Sequence, residues 1–191
     1  MPRLFSAFRV PAPVEDWLSG LEHDMPGAHW TDPADYHVTL RFFGDVDKHV
    51  TDDILAGLES TFLPVFAAHI RGLGVYGGDR PRVLVADIEP NPTLTDLHRA
   101  HERIALSAGL QPDRRKYSPH ITLARLHGTL PETVAGFIQT FTPTSLPAFA
   151  VEEVELLSAR DGSGGGPYLT EARFALTGAS AGPGSAYDDM D

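Results

Sequence analysis

A six-residue phrase occurs twice in this chain, and the repetition limits what it can fold into. Tyr36-His37-Val38-Thr39-Leu40-Arg41 returns 83 positions later as Pro119-His120-Ile121-Thr122-Leu123-Ala124. Successive side chains of a strand face opposite ways, so His37 shares a face with Thr39 while Val38 and Leu40 share the other. His120 and Thr122 stand in the same relation to Ile121 and Leu123. Each copy offers an imidazole and a hydroxyl on one face and an aliphatic pair to a core. A lone His-x-Thr means little, because Thr and Val are ordinary strand residues. Two copies at the same parity are far less expected by accident and suggest two related halves, whose motif strands would meet about a pseudo-two-fold axis and line one cleft.

The segments around the motifs fit that plan. Arg3–Val10 alternates as a strand. Pro11 and Pro13 lead into a helix over Val14–Glu22, with Glu15 and Asp16 in its first turn. Thr51-Asp52-Asp53 opens a second helix, continued by Ile54, Leu55, Leu58 and Phe62. Val65–Val75 contains a strand, and Pro81–Asp87 is another. Thr93 begins a long helix through Leu94, Leu97, His101 and Ile104, which Gly109 ends. The second half follows with a strand at His120–Leu126, a helix at Pro131–Phe141, and strands at Phe149–Leu157 and Tyr168–Leu176. Gly162–Gly166 joins the last two as a hairpin turn. The pattern predicts an α+β fold of two pseudo-symmetric lobes, each an antiparallel sheet with helices packed outside, and a cleft between them. Residues 1–178 read as a single bilobal domain, and the small, polar, acidic tail 179–191 is expected to be disordered.

Composition excludes some classes of function. The chain has no cysteine, so disulfide frameworks and thiolate zinc sites are ruled out. Arg3–Val10 alternates instead of forming the apolar core of a secretory signal. No apolar run approaches the ~18 residues of a membrane span. The protein is expected to be cytoplasmic, away from membranes, and a monomer without an obligate protein partner. A net charge of −11 works against nucleic acid, whose phosphates are met by Lys and Arg. The charge is segregated, however. Residues 71–125 carry nine basic and six acidic residues, and the remainder six basic and twenty acidic. A short anionic end suits the positive stretch; a long duplex footprint does not.

Two His and two Thr in one cleft suit hydrolysis at phosphorus. A water must lose a proton, the departing oxygen must gain one, and the non-bridging oxygens need donors. Imidazole is the side chain best able to hold either protonation state near neutrality, and a Thr hydroxyl donates to phosphate without adding charge. The chemistry alone leaves open which His is acid and which is base.

The chain resembles the bacterial and archaeal RNA 2′,3′-cyclic phosphodiesterase family, historically called 2′-5′ RNA ligase, within the two-histidine phosphoesterase superfamily. The resemblance runs from Arg3 to about Gly178. It rests on Arg3-Leu4-Phe5, His37-Val38-Thr39-Leu40-Arg41-Phe42-Phe43-Gly44, Pro81-Arg82-Val83-Leu84, Tyr117-Ser118-Pro119-His120-Ile121-Thr122-Leu123-Ala124-Arg125 and Gly166-Pro167-Tyr168. It implies hydrolysis of RNA 2′,3′-cyclic phosphate ends to 2′-phosphomonoesters without metal or cofactor. By the same resemblance His37 is the proton donor, His120 the proton acceptor, and Thr39, Thr122 and Arg125 hold the phosphate. The substrates implied are RNA ends or nucleotides bearing a 2′,3′-cyclic phosphate. Asp35-Tyr36 stands where the family often has Asn-Leu, and Arg41 and Val85 where aliphatic and Trp residues are frequent. These departures bear on substrate preference more than on chemistry.

Strict alternation puts Arg125 on the face opposite His120, so a strand end or a bulge must turn it inward. Arg41 has the parity of His37, or is a solvated strand-end cation. Tyr117 is a candidate platform for stacking a base. Phe8, Trp30, Phe42 and Phe43 read as packing. His98 and His101, at i and i+3 on a helix, lack the acidic partners of a metal site. Gly162–Gly166 lacks the Lys-Ser/Thr of a phosphate-cradling loop. Two alternatives use the same residues: reversible 2′-5′ ligation of tRNA halves, and a nucleotide- or RNA-binding module without turnover.

Overall fold

The computed structural model describes residues 3–141, 146–159 and 166–177; the Gly162–Gly165 part of the expected turn and the tail lie outside them. Among the described residues, nine strands and four α-helices make an α+β protein. The strands are β1 (Arg3–Arg9), β2 (Ala28–Trp30), β3 (His37–Asp45), β4 (Phe66–Tyr76), β5 (Val83–Ile88), β6 (His120–Leu126), β7 (Ala148–Val151), β8 (Glu153–Ala159) and β9 (Tyr168–Ala175). The helices are α1 (Ala12–Ser19), α2 (Lys48–Glu59), α3 (Pro92–Ser107) and α4 (Pro131–Phe141).

All strand pairings are antiparallel, in the order β7-β4-β5-β6-β3-β1-β8-β9, with β2 on β6. The path divides into two half-sheets, β7-β4-β5-β6 and β3-β1-β8-β9. Among the described residues, the strand pairing between them runs through the two motif strands, at Val38 and Ile121. Both residues are fully buried, so the joint is apolar and fixed. Because β3 and β6 run antiparallel there, His37 lies on the side of Thr122, and Thr39 on the side of His120.

Helices cover one face of the sheet. Phe8, Val38, Leu40, Leu84, Ile121 and Leu123 meet Leu18 of α1, Leu94 and Leu97 of α3, and Val134 and Phe137 of α4. Leu4, Phe43 and Leu156 meet Ile54 and Leu58 of α2 and Ala105 of α3. Each such side chain stabilises the fold by roughly 1.5–3 kcal/mol when fully buried, and Leu94→Ala would leave a cavity at the centre of this layer. The uncovered face is the one that carries His37 and Thr39.

Several boundaries differ from the sequence pattern, each for a local reason. The second helix starts at Lys48, three residues before Thr51, because the Asp47 side chain accepts from Val50 N at 3.0 Å and caps it. Asn91, not Thr93, caps α3, accepting from Leu94 N at 2.8 Å ahead of Pro92. Phe149–Leu157 is two strands, broken at Glu152. β7 pairs with β4 in one half-sheet and β8 with β1 in the other, so this stretch crosses the molecule.

Candidate active site

The motif strands carry the same irregularity at the same place. On β3, Ser6 pairs with Arg41 and Ala7 with Thr39, leaving Leu40 as an extra residue. On β6, Leu84 pairs with Ala124 and Val85 with Thr122, leaving Leu123 extra. Each bulge reverses the side-chain alternation beyond it. Leu40 and Arg41 are thus consecutive buried residues followed by exposed Phe42, and Leu123 and Ala124 are followed by exposed Arg125. Past the bulge, Arg125 returns to the face of His120 and Thr122. Arg41, by contrast, is turned away from His37 and is not solvated. Its guanidinium is buried against Glu102 and donates to the carbonyls of Gln111 and Phe42.

His37, Thr39, His120, Thr122 and Arg125 line one cavity of about 730 Å³ on the helix-free face. Each histidine is oriented in the same way. His37 Nδ1 lies 2.7 Å from the carbonyl oxygen of Asp35, and His120 Nδ1 lies 2.7 Å from that of Ser118. A carbonyl only accepts, so Nδ1 carries the proton in both rings, and Nε2 is the nitrogen left to face the cavity. A tyrosine meets each ring edge-on: Tyr168 at 5.0 Å and 83° from His37, and Tyr76 at 5.0 Å and 85° from His120.

The second neighbours break the symmetry. Tyr76 donates toward Asp87 and shares a hydrogen bond with Ser118. Tyr168 lines the cavity, and its hydroxyl interacts with Arg125. Phe5 lies 5.2 Å from His37 and 5.1 Å from Tyr168, so the three rings form one cluster. Burial pushes the His37 imidazole down to about 4, and the like charges of Arg9 and His120 act in the same direction. The bond to the Asp35 carbonyl and the Asp35 carboxylate oppose this without overcoming it. At about 4, His37 is neutral at pH 7.

The turn before His37 is braced from three strands. Asp35 Oδ1 accepts from Tyr168 N at 3.2 Å. A Cβ on Gly166 would lie 1.6 Å from that carboxylate, so only glycine admits this approach. Arg9 donates to the carbonyl of Ala34 and to buried Glu155, which also accepts from Arg173 and Thr170.

Tyr117 does not line the cavity. Its ring stacks on His98 at 3.8 Å and 2°, behind β3, and its hydroxyl donates to the Thr39 carbonyl at 3.2 Å. His98 Nδ1 is 2.9 Å from the Leu40 carbonyl and His101 Nδ1 is 2.7 Å from Ser6 Oγ, so the two α3 histidines serve separate strands. The aromatic rings that do line the cavity are Phe5, Trp30, Phe42 and Tyr168. Phe42 and Trp30 are thus wall residues of the site and not only packing. His29 and Asp35 line it as well; the sequence pattern marks neither as a site residue, and Asp35 stands out only as a departure from the family. The 83-residue offset that pairs the histidines also pairs Phe42 with Arg125, a signal available in the sequence. Among the described residues, no cluster of His, Asp and Glu could hold a metal ion. No described helix is long and apolar enough to cross a membrane.

Fold and site together define a two-histidine α+β protein, with one His-x-Thr strand from each half of a doubled antiparallel sheet. The chain belongs to the 2′-5′ RNA ligase superfamily, whose family model matches residues 11–163. It is 38% identical over 100 residues to the RNA 2′,3′-cyclic phosphodiesterase of Bacillus subtilis, covering 50% of this chain and 54% of that protein. It is 33% identical over 168 residues to the protein of that name in Geobacillus stearothermophilus, covering 83% of this chain and 51% of that one. The chain thus spans about half the length of these curated relatives. The crystal structure of E. coli LigT complexed with 3′-AMP shares the fold, with a TM-score of 0.71 at 22% identity, over 93% of this chain and 100% of that one.

Proposed function

We propose that the protein hydrolyses 2′,3′-cyclic phosphate ends of RNA to 2′-phosphates, using His37 and His120 as acid and base. One observation carries this reading: two imidazoles, each pinned at Nδ1 by the carbonyl two residues earlier, turn Nε2 into a cavity that also holds two Thr. The names of the curated relatives and the nucleotide bound to the E. coli neighbour support it.

The reaction balances within the cavity. Water attacks phosphorus and gives a proton to Nε2 of His120. The P–O3′ bond breaks, and O3′ takes a proton from Nε2 of His37, leaving a 2′-phosphate and a free 3′-hydroxyl. Thr39, Thr122 and Arg125 donate to the non-bridging oxygens as charge gathers there. The donor role requires a proton that burial withholds from His37. The substrate supplies the remedy. An anion within ~4–6 Å raises a neighbouring imidazole pKa by about 1–3, so a bound phosphate moves His37 from about 4 toward the protonated form that the donor role needs.

The deciding experiment is product analysis with purified protein, a 2′,3′-cyclic nucleotide and an oligonucleotide ending in a cyclic phosphate, in the presence of excess chelator. The expected product is the 2′-phosphate. His37→Ala and His120→Ala should each cost at least about 10²-fold in kcat. A 3′-phosphate as main product, or near-wild-type turnover by either variant, sinks the mechanism.

A further inference from the structure

A second concavity, of about 660 Å³, adjoins the candidate active site. The β4–β5 turn and the segment after β6 form its walls, and Arg80, Arg82, Arg125 and His127 line it, opposed by Asp79 alone among its acidic side chains. Arg125 belongs to both cavities. The boundary continues through a ring pair: His29, which lines the active-site cavity, meets His127 edge-on at 4.9 Å and 84°. Backbone pairing fixes these groups relative to one another. Val83 pairs with Arg125, Arg125 with His29, and Leu126 N donates to the Arg82 carbonyl.

The charge of this groove runs against the rest of the protein. The chain carries a net −11, and most of its described cations are held by carboxylates: Arg9 and Arg173 by Glu155, Arg41 by Glu102, Arg115 by Asp113. Arg80 and Arg82 are exposed and make no ion pair among the described residues. Pro81 between them is buried, which anchors the pair at the groove rim. Unpaired guanidiniums in a concavity of an acidic protein attract an anion from outside it.

We propose that this groove binds the RNA backbone on the 5′ side of the cyclic end, with Arg80 and Arg82 holding internucleotide phosphates. The inference rests on the reading that the neighbouring cavity takes the cyclic phosphate. A terminal phosphate seated between His37 and His120 leaves the remainder of the strand to exit, and the Arg125 edge is where an anionic chain meets further cations. The protein is thereby an enzyme for oligonucleotide ends in preference to mononucleotides.

The test compares kcat/KM on a 2′,3′-cyclic mononucleotide and on a cyclic-phosphate-ended oligonucleotide, at low and high salt, for wild type, Arg80→Gln/Arg82→Gln and Arg80→Lys/Arg82→Lys. Wild type should prefer the oligonucleotide by about tenfold or more, the equivalent of one charge-assisted contact. Its salt dependence on the oligonucleotide should be steeper by a log–log slope of about 0.7 for each phosphate held. The Gln variant should keep its mononucleotide kcat/KM and lose both the preference and the extra slope, and the Lys variant should retain much of each. Equal wild-type rates on the two substrates, or a Gln variant that keeps the preference or loses mononucleotide turnover, would overturn the groove. A wild type inactive on both substrates removes the cyclic-phosphate reading first, and the groove with it.

Discussion

Phe42 and Arg125 occupy the same position in two copies of one bulged strand, 83 residues apart, and both line the cavity. His37 and Thr39 map onto His120 and Thr122 by the same offset. The cavity is therefore symmetric in its imidazoles and hydroxyls and asymmetric at the third position, with a ring on one strand and a cation on the other. Because β3 and β6 run antiparallel, the two lie on opposite sides of the histidine pair. That difference gives a doubled site a direction: charge at one end, an apolar face at the other.

The two residues should fail differently on replacement. On the proposed reading, Arg125→Gln removes a cationic donor to the phosphoryl oxygens and should lower kcat by about 10²-fold, the scale of a lost oxyanion donor. Phe42→Ala removes a surface against which a base can lie and should raise KM by about tenfold with kcat nearly unchanged. Steady-state kinetics on one cyclic nucleotide separate the two. A large kcat loss in Phe42→Ala would contradict the assignment.

The pH profile should be displaced from neutrality. Burial sets His37 at about 4 in the free protein, and kcat/KM reports the free protein. If His37 must be neutral, the rate rises as pH rises through about 4. If it must be protonated while a less acidic base must be neutral, the product of the two fractions is level between the two pKa values and falls on either side, so its acid limb again lies at about 4. Either way the acid limb of kcat/KM lies near 4, well below where an unperturbed pair of histidines would put it. An acid limb at 6 or above would show that burial does not govern this group.

What the sequence discloses here follows from strand periodicity. The period of two places His37 with Thr39 and His120 with Thr122 on one face, and it holds as far as Leu40 and Leu123. Beyond them it fails, because a bulge is set by how neighbouring strands pair and not by the residues that bulge. Arg41 thus goes behind the sheet to Glu102, whereas Arg125 comes forward. The antiparallel α+β plan was legible in the repeat, but the break at Glu152 was not. An apolar run from Phe149 to Leu157 says that both ends are buried; it does not say that they are buried in different half-sheets. Tyr168 carries part of the family resemblance, but its place in the cavity wall was not legible, for a similar reason. It is in β9, far along the chain from His37, and only the β1–β8–β9 pairing carries it to the cavity wall.

Tyr117 acts on the site through the backbone of β3. Its hydroxyl holds the Thr39 carbonyl, and its ring is fixed against His98. Tyr117→Phe keeps the ring and removes one hydrogen bond, a loss of about 1 kcal/mol. The expected result is a several-fold lower kcat with unchanged KM, since Thr39 loses its position while the cavity walls stay. A residue that stacks a base would behave in the opposite way, with Tyr117→Phe silent and Tyr117→Ala raising KM alone.

Stability should fall on mild acidification, before carboxylates begin to titrate. His101 is buried at the back of the sheet beside Ser6, and burial, with some repulsion from His98, pushes its pKa down to about 3. His37 stands at about 4. Both revert to about 6.5 in the unfolded chain. Between about 6.5 and 4 the unfolded state binds protons that the folded state refuses, so stability rises with pH there and is lost as pH falls. Above about 6.5 both states hold these rings neutral, and the contribution to the pH dependence vanishes. Since each pKa unit corresponds to about 1.4 kcal/mol, His101 alone carries a few kcal/mol across the window. Ser6→Ala/His101→Phe removes the titrating ring together with the hydroxyl it would otherwise orphan. Denaturant midpoints measured from pH 7 to 4.5 should drop less steeply for this double variant than for wild type. Parallel curves would mean that His101 is reached by water, or protonated, in the folded protein.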